Sequence, residues 1–320
     1  MSLLERIKKI GLIPVVAFDN AEQAVLAAKA MLDAQLDIIE ITMRTAAGIE
    51  SIKRVKAQYP DMIVGAGTVL TLDKAKESAE AGAQFIVMPG YQEDIVDWCN
   101  NSEILVFPGC VTPAEIQMAL QKGLKVLKFF PADVYGGLKA LRALNGPFGP
   151  SGVSFIPTGG VDLKNLSEFV QAPFIAAVGG SFLCSSKHLK DGDYAGISKS
   201  VAESIDILLG FELGHIGFNT VDAVESESIA KTLVDAFHFP YLPGNSANFA
   251  GTAVEVVKNI GLGEHGHVAI KTNSIDRAVY YLEKRGFSVD PSTAKSKDGK
   301  TTAVYLKNQI GGFAFHLLQK

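Results

Sequence analysis

The first part of the chain alternates eight times between a short apolar run and a longer segment with helical periodicity. Segments such as AEQAVLAAKAMLDAQ and TPAEIQMALQKG show the helical spacing, and the runs have the length and composition of buried strands. The runs are LIPVVAF, DIIEIT, MIVGAG, QFIVMP, ILVFPG, KVLKFF, SFIPTGG and FIAAVGG. This pattern predicts an α/β fold, a (β/α)8 TIM barrel over residues 1–210, with a doubly wound open sheet as the alternative.

Polar and turn residues follow most of the predicted strands. In a TIM barrel the carboxyl ends of all the strands meet at one mouth, where the loops after the strands build the active site. The residues concerned are Thr42, Arg44, Gly65-Ala66-Gly67-Thr68, Pro89-Gly90, Pro108-Gly109, Pro131 and Thr158-Gly159-Gly160. Their concentration at strand ends predicts an enzyme.

Composition narrows the expected partners to small molecules. A formal net charge of −4 leaves no overall basic field that would attract nucleic acid or an anionic membrane. The sequence has no uncharged apolar stretch of about 18 residues and no cleavage pattern near its start, so we expect a cytoplasmic protein. Cys99, Cys110 and Cys184 are odd in number and far apart, which predicts reduced core thiols.

Lys128 stands inside an apolar run, in the sequence KVLKFFPADVYGG. A lysine in a buried strand can be structural, with its amine extended to the rim or paired with a carboxylate. Burial also favours the neutral amine, and a neutral amine is the nucleophile that Schiff-base chemistry requires. The surrounding residues have to decide between these two interpretations.

Glu40 is a second charged residue in a predicted barrel strand. In DIIEITMR the alternation of a strand places Glu40, Thr42 and Arg44 on one face and the apolar residues on the other. A charge that faces a barrel interior is costly unless it is paired or used. A lysine and a carboxylate in one barrel provide a nucleophile and a proton carrier, the minimum for an imine-forming carbon–carbon lyase.

Two anion-binding positions are predicted at the mouth. Arg44 offers a guanidinium suited to a carboxylate, with the Thr68 hydroxyl as a partner, although Arg44 could instead form a surface ion pair. PTGGV and VGGSFL place glycines and hydroxyls after the seventh and eighth strands, where TIM barrels bind phosphate. The same glycines could serve tight turns alone.

These motifs together resemble one known family. EITMRT, GAGTV, VMPG, FPGCVTP, LKFFPA, PTGGV and VGGSFL occur in that order over residues 1–205 and are similar to the 2-keto-3-deoxy-6-phosphogluconate (KDPG) and 4-hydroxy-2-oxoglutarate (KHG) aldolases. The resemblance implies a class I aldolase without a metal cofactor, forming a homotrimer. Its substrate would be a phosphorylated keto sugar acid, either KDPG or the galactonate epimer, cleaved to pyruvate and glyceraldehyde 3-phosphate. KHG, which would be cleaved to pyruvate and glyoxylate, is the other substrate that the resemblance allows.

The resemblance also assigns roles to individual residues. Lys128 would form the Schiff base, and Glu40 would carry protons during carbinolamine formation and cleavage. Arg44 and Thr68 would bind the pyruvyl carboxylate. The residues that would shape the pocket or receive the phosphate are Pro89, Phe130, Thr158, Gly159, Gly160, Gly180 and Ser181.

Two segments depart from the family pattern. Ala17-Phe18 stand near the end of the first strand, where some family members have an arginine, and this bears on which substrate terminus is bound. Asp133-Val134-Tyr135 follow FFPA, where a glutamate is more usual at the first position. The second departure suggests that the loop over the site favours a different sugar acid. Glucose- and galactose-derived substrates, which differ at a single stereocentre, both stay open.

The pattern changes after about residue 210. Residues 211–320 contain two helical segments, VESESIAKTLVDAF and SIDRAVYYLEKRGF, and the strand-like runs ELGHIGFNT and EHGHVAIKT precede them. This arrangement is an internal repeat, which predicts a smaller α+β domain of two β-α-β-β-β units with a boundary near residues 209–212.

The repeated unit resembles the vicinal oxygen chelate superfamily, which includes glyoxalases and dioxygenases. The resemblance places metal ligands on the first and last strand of each unit, and the matching residues are His215, Glu255, His267 and His316. Such ligands suit a divalent metal. The alignment is ambiguous, because TAVYLKN matches TAVEVVKN as well as the terminal strand does and would set Tyr305 opposite Glu255. From the sequence alone, a docking or oligomerisation role is favoured over metal binding for this domain.

Three functional hypotheses follow from the sequence. The first is the Schiff-base aldolase. The second is a metal-dependent lyase or isomerase in residues 211–320. The third is a sensor that binds a sugar acid without turnover.

Overall fold

All eight apolar runs form short parallel strands in the structure, a computed structural model that describes residues 1–320. The strands are β1 (Leu12–Val16), β2 (Ile38–Thr42), β3 (Ile63–Gly67), β4 (Phe85–Val87), β5 (Leu105–Phe107), β6 (Val126–Phe129), β7 (Ser154–Pro157) and β8 (Val178–Gly180). Nearly every residue in them is buried, as expected for strands that are covered on both faces.

The strands close into a barrel. Six of them form a sheet in the order β5-β4-β3-β2-β1-β8, and β6 pairs with β7. Single bridges, Gly109 to Lys128 and Thr158 to Gly179, connect that pair to the two edges of the sheet. The TIM-barrel prediction is therefore confirmed, and the open-sheet alternative is wrong.

Helices alternate with the strands of the barrel. They are α1 (Leu3–Ile10), α2 (Ala21–Asp33), α3 (Gly48–Gln58), α4 (Leu72–Glu80), α5 (Glu93–Asn101), α6 (Pro113–Gln121), α7 (Gly137–Phe148), α8 (Leu166–Val170), α9 (Ser186–Asp191) and α10 (Tyr194–Leu209). Several begin at side chains that accept a hydrogen bond from the first turn, such as Asn20 before α2 and Thr71 before α4. None of the helices combines the length and the apolar composition that a membrane span needs.

The chain divides into two compact units, Met1–Leu208 and Leu209–Lys320, called here the first and the second unit. The three cysteines belong to the first unit and are free and buried: Cys99, Cys110 and Cys184. Burial raises the pKa of each thiol to about 12, so the thiolate is scarce at neutral pH.

The second unit is one sheet of eight strands with two helices. The elements are β9 (Glu212–Phe218), α11 (Ala223–Phe237), β10 (Tyr241–Pro243), β11 (Ala247–Ala250), β12 (Val254–Val257), β13 (Gly266–Thr272), α12 (Ile275–Lys284), β14 (Val289–Lys297), β15 (Lys300–Leu306) and β16 (Phe313–Gln319). The strand order β10-β11-β12-β9-β13-β16-β15-β14 is the same four-strand arrangement twice, in mirrored order. This confirms the prediction of two β-α-β-β-β units.

The topology also resolves the ambiguous alignment of the repeat. The last strand of the first repeat is β12, which carries Glu255, and the last strand of the second is β16, which carries His316. Tyr305 lies on β15, the strand before the last. His316 is therefore the positional counterpart of Glu255, and the alignment that set Tyr305 opposite Glu255 is wrong.

Candidate active site and candidate metal centre

Lys128 lies on β6 with its side chain inside the barrel. Only 5% of the residue is exposed, and its backbone is held by a hydrogen bond from its N–H to the Pro108 carbonyl at 2.9 Å. Its Nζ lies 3.4 Å from Glu40 Oε1, across 88 residues of sequence. The structure thus brings together the two charged residues that the sequence placed in separate strands.

Glu40 lies on β2 and is only 2% exposed. Its carboxylate packs directly against Gly67, where an added Cβ would lie 2.1 Å from Glu40 Oε1. Only glycine at position 67 leaves room for the Glu40 side chain. Gly67 ends the neighbouring strand β3, opposite Thr42. The sequence indicates Gly67 only as a strand-end residue, and its close approach to Glu40 is visible only in the structure.

Arg44 and Thr68 follow the adjacent strands β2 and β3. Arg44 is exposed, and its Nε donates to the Thr42 hydroxyl at 3.2 Å, while Thr68 is half-buried with a φ of 54°. The two side chains share no hydrogen bond with each other. Both lie at the carboxyl ends of their strands, so the guanidinium and the hydroxyl border the same mouth as Lys128.

Phe130 borders the lysine, and Pro89 lies beside Gly109, which forms a bridge with Lys128. Phe130 is 37% exposed, and the centre of its ring lies 5.2 Å from Lys128 Nζ. Pro89 follows β4, and a Cβ on Gly109 would lie 2.0 Å from the Pro89 carbonyl oxygen. The close packing of Gly109 lets the backbone after β5 approach both Pro89 and Lys128.

Gly159 and Gly160 form a turn after β7, and Gly179 and Gly180 end β8 beside it. Gly159 and Gly160 have φ values of 90° and 73°, which glycine adopts without strain. Thr158 before them is 5% exposed, and a Cβ on Gly179 would lie 2.4 Å from its hydroxyl. Gly180 ends β8, and the exposed Ser181 begins the following 3-10 turn.

The two departures from the family pattern lie in the segments that follow β1 and β6. Phe18 after β1 is fully buried, and its carbonyl accepts a hydrogen bond from the Thr45 hydroxyl at 2.7 Å. Asp133 packs against Gly160, where an added Cβ would lie 2.2 Å from the Asp133 Cβ. A carboxylate therefore stands beside the glycines that the resemblance assigns to phosphate.

A second cluster of functional side chains lies on one face of the sheet in the second unit. The register pairs His316 with Ala269 and Ala269 with His215, which forms one row across the strands. The next row pairs His267 with Gly217 and Gly217 with Glu255. An alanine or a glycine thus separates the candidate ligands in each row, and a Cβ on Gly217 would lie 1.9 Å from the His267 ring.

The four candidate ligands converge. His215 Nε2 lies 2.9 Å from Glu255 Oε2 and 3.2 Å from His267 Nε2, and His267 Nε2 lies 3.2 Å from the same carboxylate oxygen. One ring nitrogen from each of His215, His267 and His316 lies within 4.8 Å of the others. Ligand atoms around one ion with bonds of about 2.1 Å are roughly 3.0 to 3.4 Å apart, so the cluster is close to the size of a metal site.

The protonation of the cluster also suits a cation. Burial by itself would raise the pKa of Glu255, but hydrogen bonds from His215 and His267 outweigh it and hold that pKa at about 2. Burial, together with the neighbouring His267 and His215, lowers the pKa of His316 to about 4. Both ring nitrogens of His316 are buried and have no hydrogen-bond partner. An orphaned neutral imidazole beside a carboxylate fits a divalent metal.

Comparisons with known proteins match the first unit. A family model described as aldolase, "KDPG and KHG aldolase", matches residues 3–200. A 2-dehydro-3-deoxy-phosphogluconate aldolase of Treponema pallidum is 35% identical over 208 residues, which are 65% of this chain and 98% of that protein. A KHG/KDPG aldolase of Escherichia coli K12 is 38% identical over 194 residues, 61% of this chain and 90% of that protein.

A solved structure shows the same fold. The KDPG aldolase of Legionella pneumophila, crystallised with pyruvate captured as a covalent carbinolamine intermediate, superposes with a TM-score of 0.60 at 31% identity. The match covers 63% of this chain and 97% of that chain. The likeness extends over nearly the whole length of these relatives, so the first unit corresponds to a complete protein elsewhere.

Proposed function

The chain belongs to the KDPG and KHG aldolase family. On that premise we propose that the protein cleaves a 2-keto-3-deoxy sugar acid through an imine formed on Lys128. The chain is an aldehyde-lyase, and its preferred substrate in this proposal is KDPG or the galactonate epimer, with KHG as a second substrate. The observation that carries the proposal is the buried pair of Lys128 and Glu40, with 3.4 Å between amine and carboxylate.

The reaction begins when Glu40 accepts a proton from the Lys128 ammonium group, which the short distance between them permits, and this leaves the neutral amine. The neutral amine attacks the keto carbon at C2, and loss of water from the carbinolamine leaves an imine. A base removes the proton of the C4 hydroxyl, the C3–C4 bond breaks, and its electron pair moves into an enamine while the aldehyde leaves. Protonation of C3 and hydrolysis of the imine then release pyruvate and restore Lys128.

Glu40 is the group within reach of these protons, because it is the carboxylate that contacts the amine inside the barrel. Arg44 and Thr68 bind the pyruvyl carboxylate at the mouth, with the guanidinium as the charged donor. Pro89 and Phe130 flank the reacting carbons.

The other end of the substrate lies against the backbone after β7 and β8. Gly159 and Gly160 turn their backbone there, and Gly180 and Ser181 follow on the neighbouring strand, with Thr158 buried between them. Backbone N–H groups and a hydroxyl can bind a phosphate without a lysine or an arginine. Asp133 beside Gly160 adds a negative charge, which we expect to loosen phosphate binding relative to an uncharged residue.

The deciding experiment is trapping with pyruvate and sodium borohydride. We expect an intact-mass increase that corresponds to one reduced pyruvyl group on the native chain, mapped to Lys128 by peptide sequencing. Lys128→Ala removes the nucleophile and should give no adduct, and Lys125→Ala, at an exposed position near the same strand, is the matched control. An adduct without turnover would favour a sensor, and absence of an adduct from the native chain would refute the imine mechanism.

We extend the proposal to the assembly and its location, as the family resemblance implies: a cytoplasmic homotrimer. Light scattering coupled to size exclusion tests the assembly. A mass of three chains supports it, and a monomeric mass at micromolar concentration contradicts it.

For the second unit we propose that His215, Glu255, His267 and His316 bind a divalent metal. The observation that favours this function is His316, which is 7% exposed and has no hydrogen-bond partner at either ring nitrogen. A buried polar group without a partner is rare and calls for an explanation. A divalent metal bound there would supply a Lewis acid for an oxygen ligand, as a lyase or an isomerase requires.

Metal content after equilibration with zinc, manganese, nickel or cobalt tests this second proposal. We expect one equivalent of metal per native chain and a loss of at least about 10-fold in affinity in His316→Ala. His238→Asn is the control, because His238 lies outside the cluster and its φ of 55° is one that asparagine tolerates. Equal affinity in native protein and His316→Ala would exclude His316 from the site.

A further inference from the structure

Tyr305 lies on the same face of the sheet as the four candidate metal ligands. It pairs directly with His316 across β15 and β16. The Tyr305 ring centre is 4.7 Å from that of His316, with 31° between the ring planes, and 6.3 Å from that of His267. Tyr305 therefore forms one wall of the proposed metal centre.

The phenol of Tyr305 is a donor without an acceptor in the protein. The residue is half-buried, and its backbone N–H donates to the Thr293 hydroxyl, but its own hydroxyl makes no hydrogen bond. In the same unit, the Tyr241 hydroxyl donates to Asn248 at 3.1 Å. The hydroxyl is not enclosed by protein, so it is accessible to an acceptor that enters the site, and a bound ligand is a candidate for that acceptor.

The charge of the proposed metal centre indicates which kind of ligand would accept a hydrogen bond from Tyr305. Three neutral imidazoles and one carboxylate around a divalent ion leave a net charge of about +1, which attracts an anion to the remaining positions. The Tyr305 phenol carries an O–H group that can donate a hydrogen bond to such an anion. A protonated phenol donates to an oxygen anion but does not compete with one for the ion.

We propose that Tyr305 holds an anionic oxygen ligand, such as a carboxylate, at the metal centre of the second unit by donating a hydrogen bond to it. This inference rests on the proposed binding of metal by the second unit. Tyr305 would be a ligand-binding residue of that centre and would not bind the metal itself.

The test uses the full chain loaded with cobalt(II), whose visible absorption changes when a ligand enters its coordination shell. Glycolate is the probe, because it carries a carboxylate but no ketone that could react with Lys128. We expect glycolate to bind about 10-fold or more weakly to Tyr305→Phe than to the native chain, with the affinity for cobalt unchanged. Tyr241→Phe removes a hydroxyl on the other side of the sheet and should match the native chain.

Three other results are possible, and each would contradict a different part of the inference. Equal glycolate affinity in Tyr305→Phe and the native chain, with cobalt bound to both, removes the role of the phenol and leaves the metal centre intact. Loss of cobalt from Tyr305→Phe would make Tyr305 a ligand or a structural support and refute the hydrogen-bonding role. Failure of the native chain to bind cobalt would refute the metal centre and the role of Tyr305 together.

Discussion

At the scale of single residues, Lys128 can be buried because Glu40 lies beside it and carries the opposite charge. Each charge would be costly alone inside the barrel, and each has the other 3.4 Å away. Lys128 and Glu40 could be selected from the sequence because each interrupts an apolar strand. Their separation of 88 residues meant that only the closed barrel could show that the two side chains meet.

Gly67 gives a prediction for activity. A Cβ at this position would lie 2.1 Å from Glu40 Oε1, so Gly67→Ala should push the carboxylate away from Lys128. We expect kcat/KM for aldol cleavage to fall by about 100-fold, since displacements of about 1 Å at a reacting group have effects of that size. Release of pyruvate, followed with a coupled dehydrogenase, measures the loss.

Gly146→Ala on α7 is the control for that experiment, because a Cβ there meets no atom within 4 Å. Its kcat/KM should equal that of the native chain. Native activity in Gly67→Ala would mean that Glu40 can move without cost, and would weaken the assignment of Glu40 as the proton carrier.

At the scale of elements, the start of α6 depends on one carboxylate. Glu115 accepts hydrogen bonds from the backbone N–H groups of Val111 and Thr112 at 2.9 and 2.8 Å and from the Thr112 hydroxyl at 2.8 Å. Burial opposes the charged form, but these bonds outweigh it and lower the pKa of Glu115. The capping box joins the loop after β5 to the helix that follows it.

The lowered pKa of Glu115 predicts a pH dependence of stability. A carboxylate whose pKa is lower in the folded chain stabilises the fold above the unfolded pKa of 4.5, and this contribution is lost as pH falls through the folded value. Glu115→Gln should therefore reduce the free energy of unfolding of the first unit by about 1 kcal/mol at pH 7 and by less at pH 3. Urea unfolding followed by the fluorescence of Trp98, the single tryptophan, reports on that unit.

Glu80→Gln, at an exposed position at the end of α4, is the control for the helix-capping effect. It should leave the unfolding curve unchanged at both pH values. A difference between native protein and Glu115→Gln that stays constant from pH 7 to pH 3 would show that the charge of Glu115 is not what stabilises α6.

In the second unit, as with Gly67 beside Glu40, small residues make room for the functional side chains. His215 and His267 stand in the repeated G-H pattern of ELGHIGF and EHGHVAI, whereas Glu255 and His316 were selected through the resemblance to the vicinal oxygen chelate superfamily. The roles of Ala269 and Gly217 could not be predicted from the sequence, because they depend on which residues face each other across β9 and β13. That register includes an irregularity at Ala269 and Ile270, which periodicity along a single strand does not reveal.

At the scale of the whole molecule, the two proposed chemistries belong to two separate units of one chain. The Treponema pallidum relative aligns over 98% of its own length with 65% of this chain, so the second unit is an addition to an otherwise complete enzyme. We expect the aldolase to work without metal, because in the proposed mechanism an imine on Lys128 is the electron sink for cleavage.

Chelation separates the two chemistries. Treatment of the full chain with a chelator should remove metal from the second unit and leave both the borohydride adduct and the rate of aldol cleavage unchanged. Metal analysis and the cleavage assay on the same sample provide the measurement, and His316→Ala serves as a chain without the metal centre. Loss of cleavage that returns when metal is restored would contradict the metal-free mechanism.

The sequence by itself determined the barrel, the internal repeat and the residue types available for chemistry. Alternating strand and helix periods, glycines at strand ends and an interrupted apolar run are all local patterns, readable within a few neighbouring residues. The tertiary structure decided which of those residues meet: Lys128 with Glu40, and His316 with Tyr305. Such contacts depend on barrel closure and on register between strands distant in sequence, because side-chain direction is set within a strand but its partner is set by pairing.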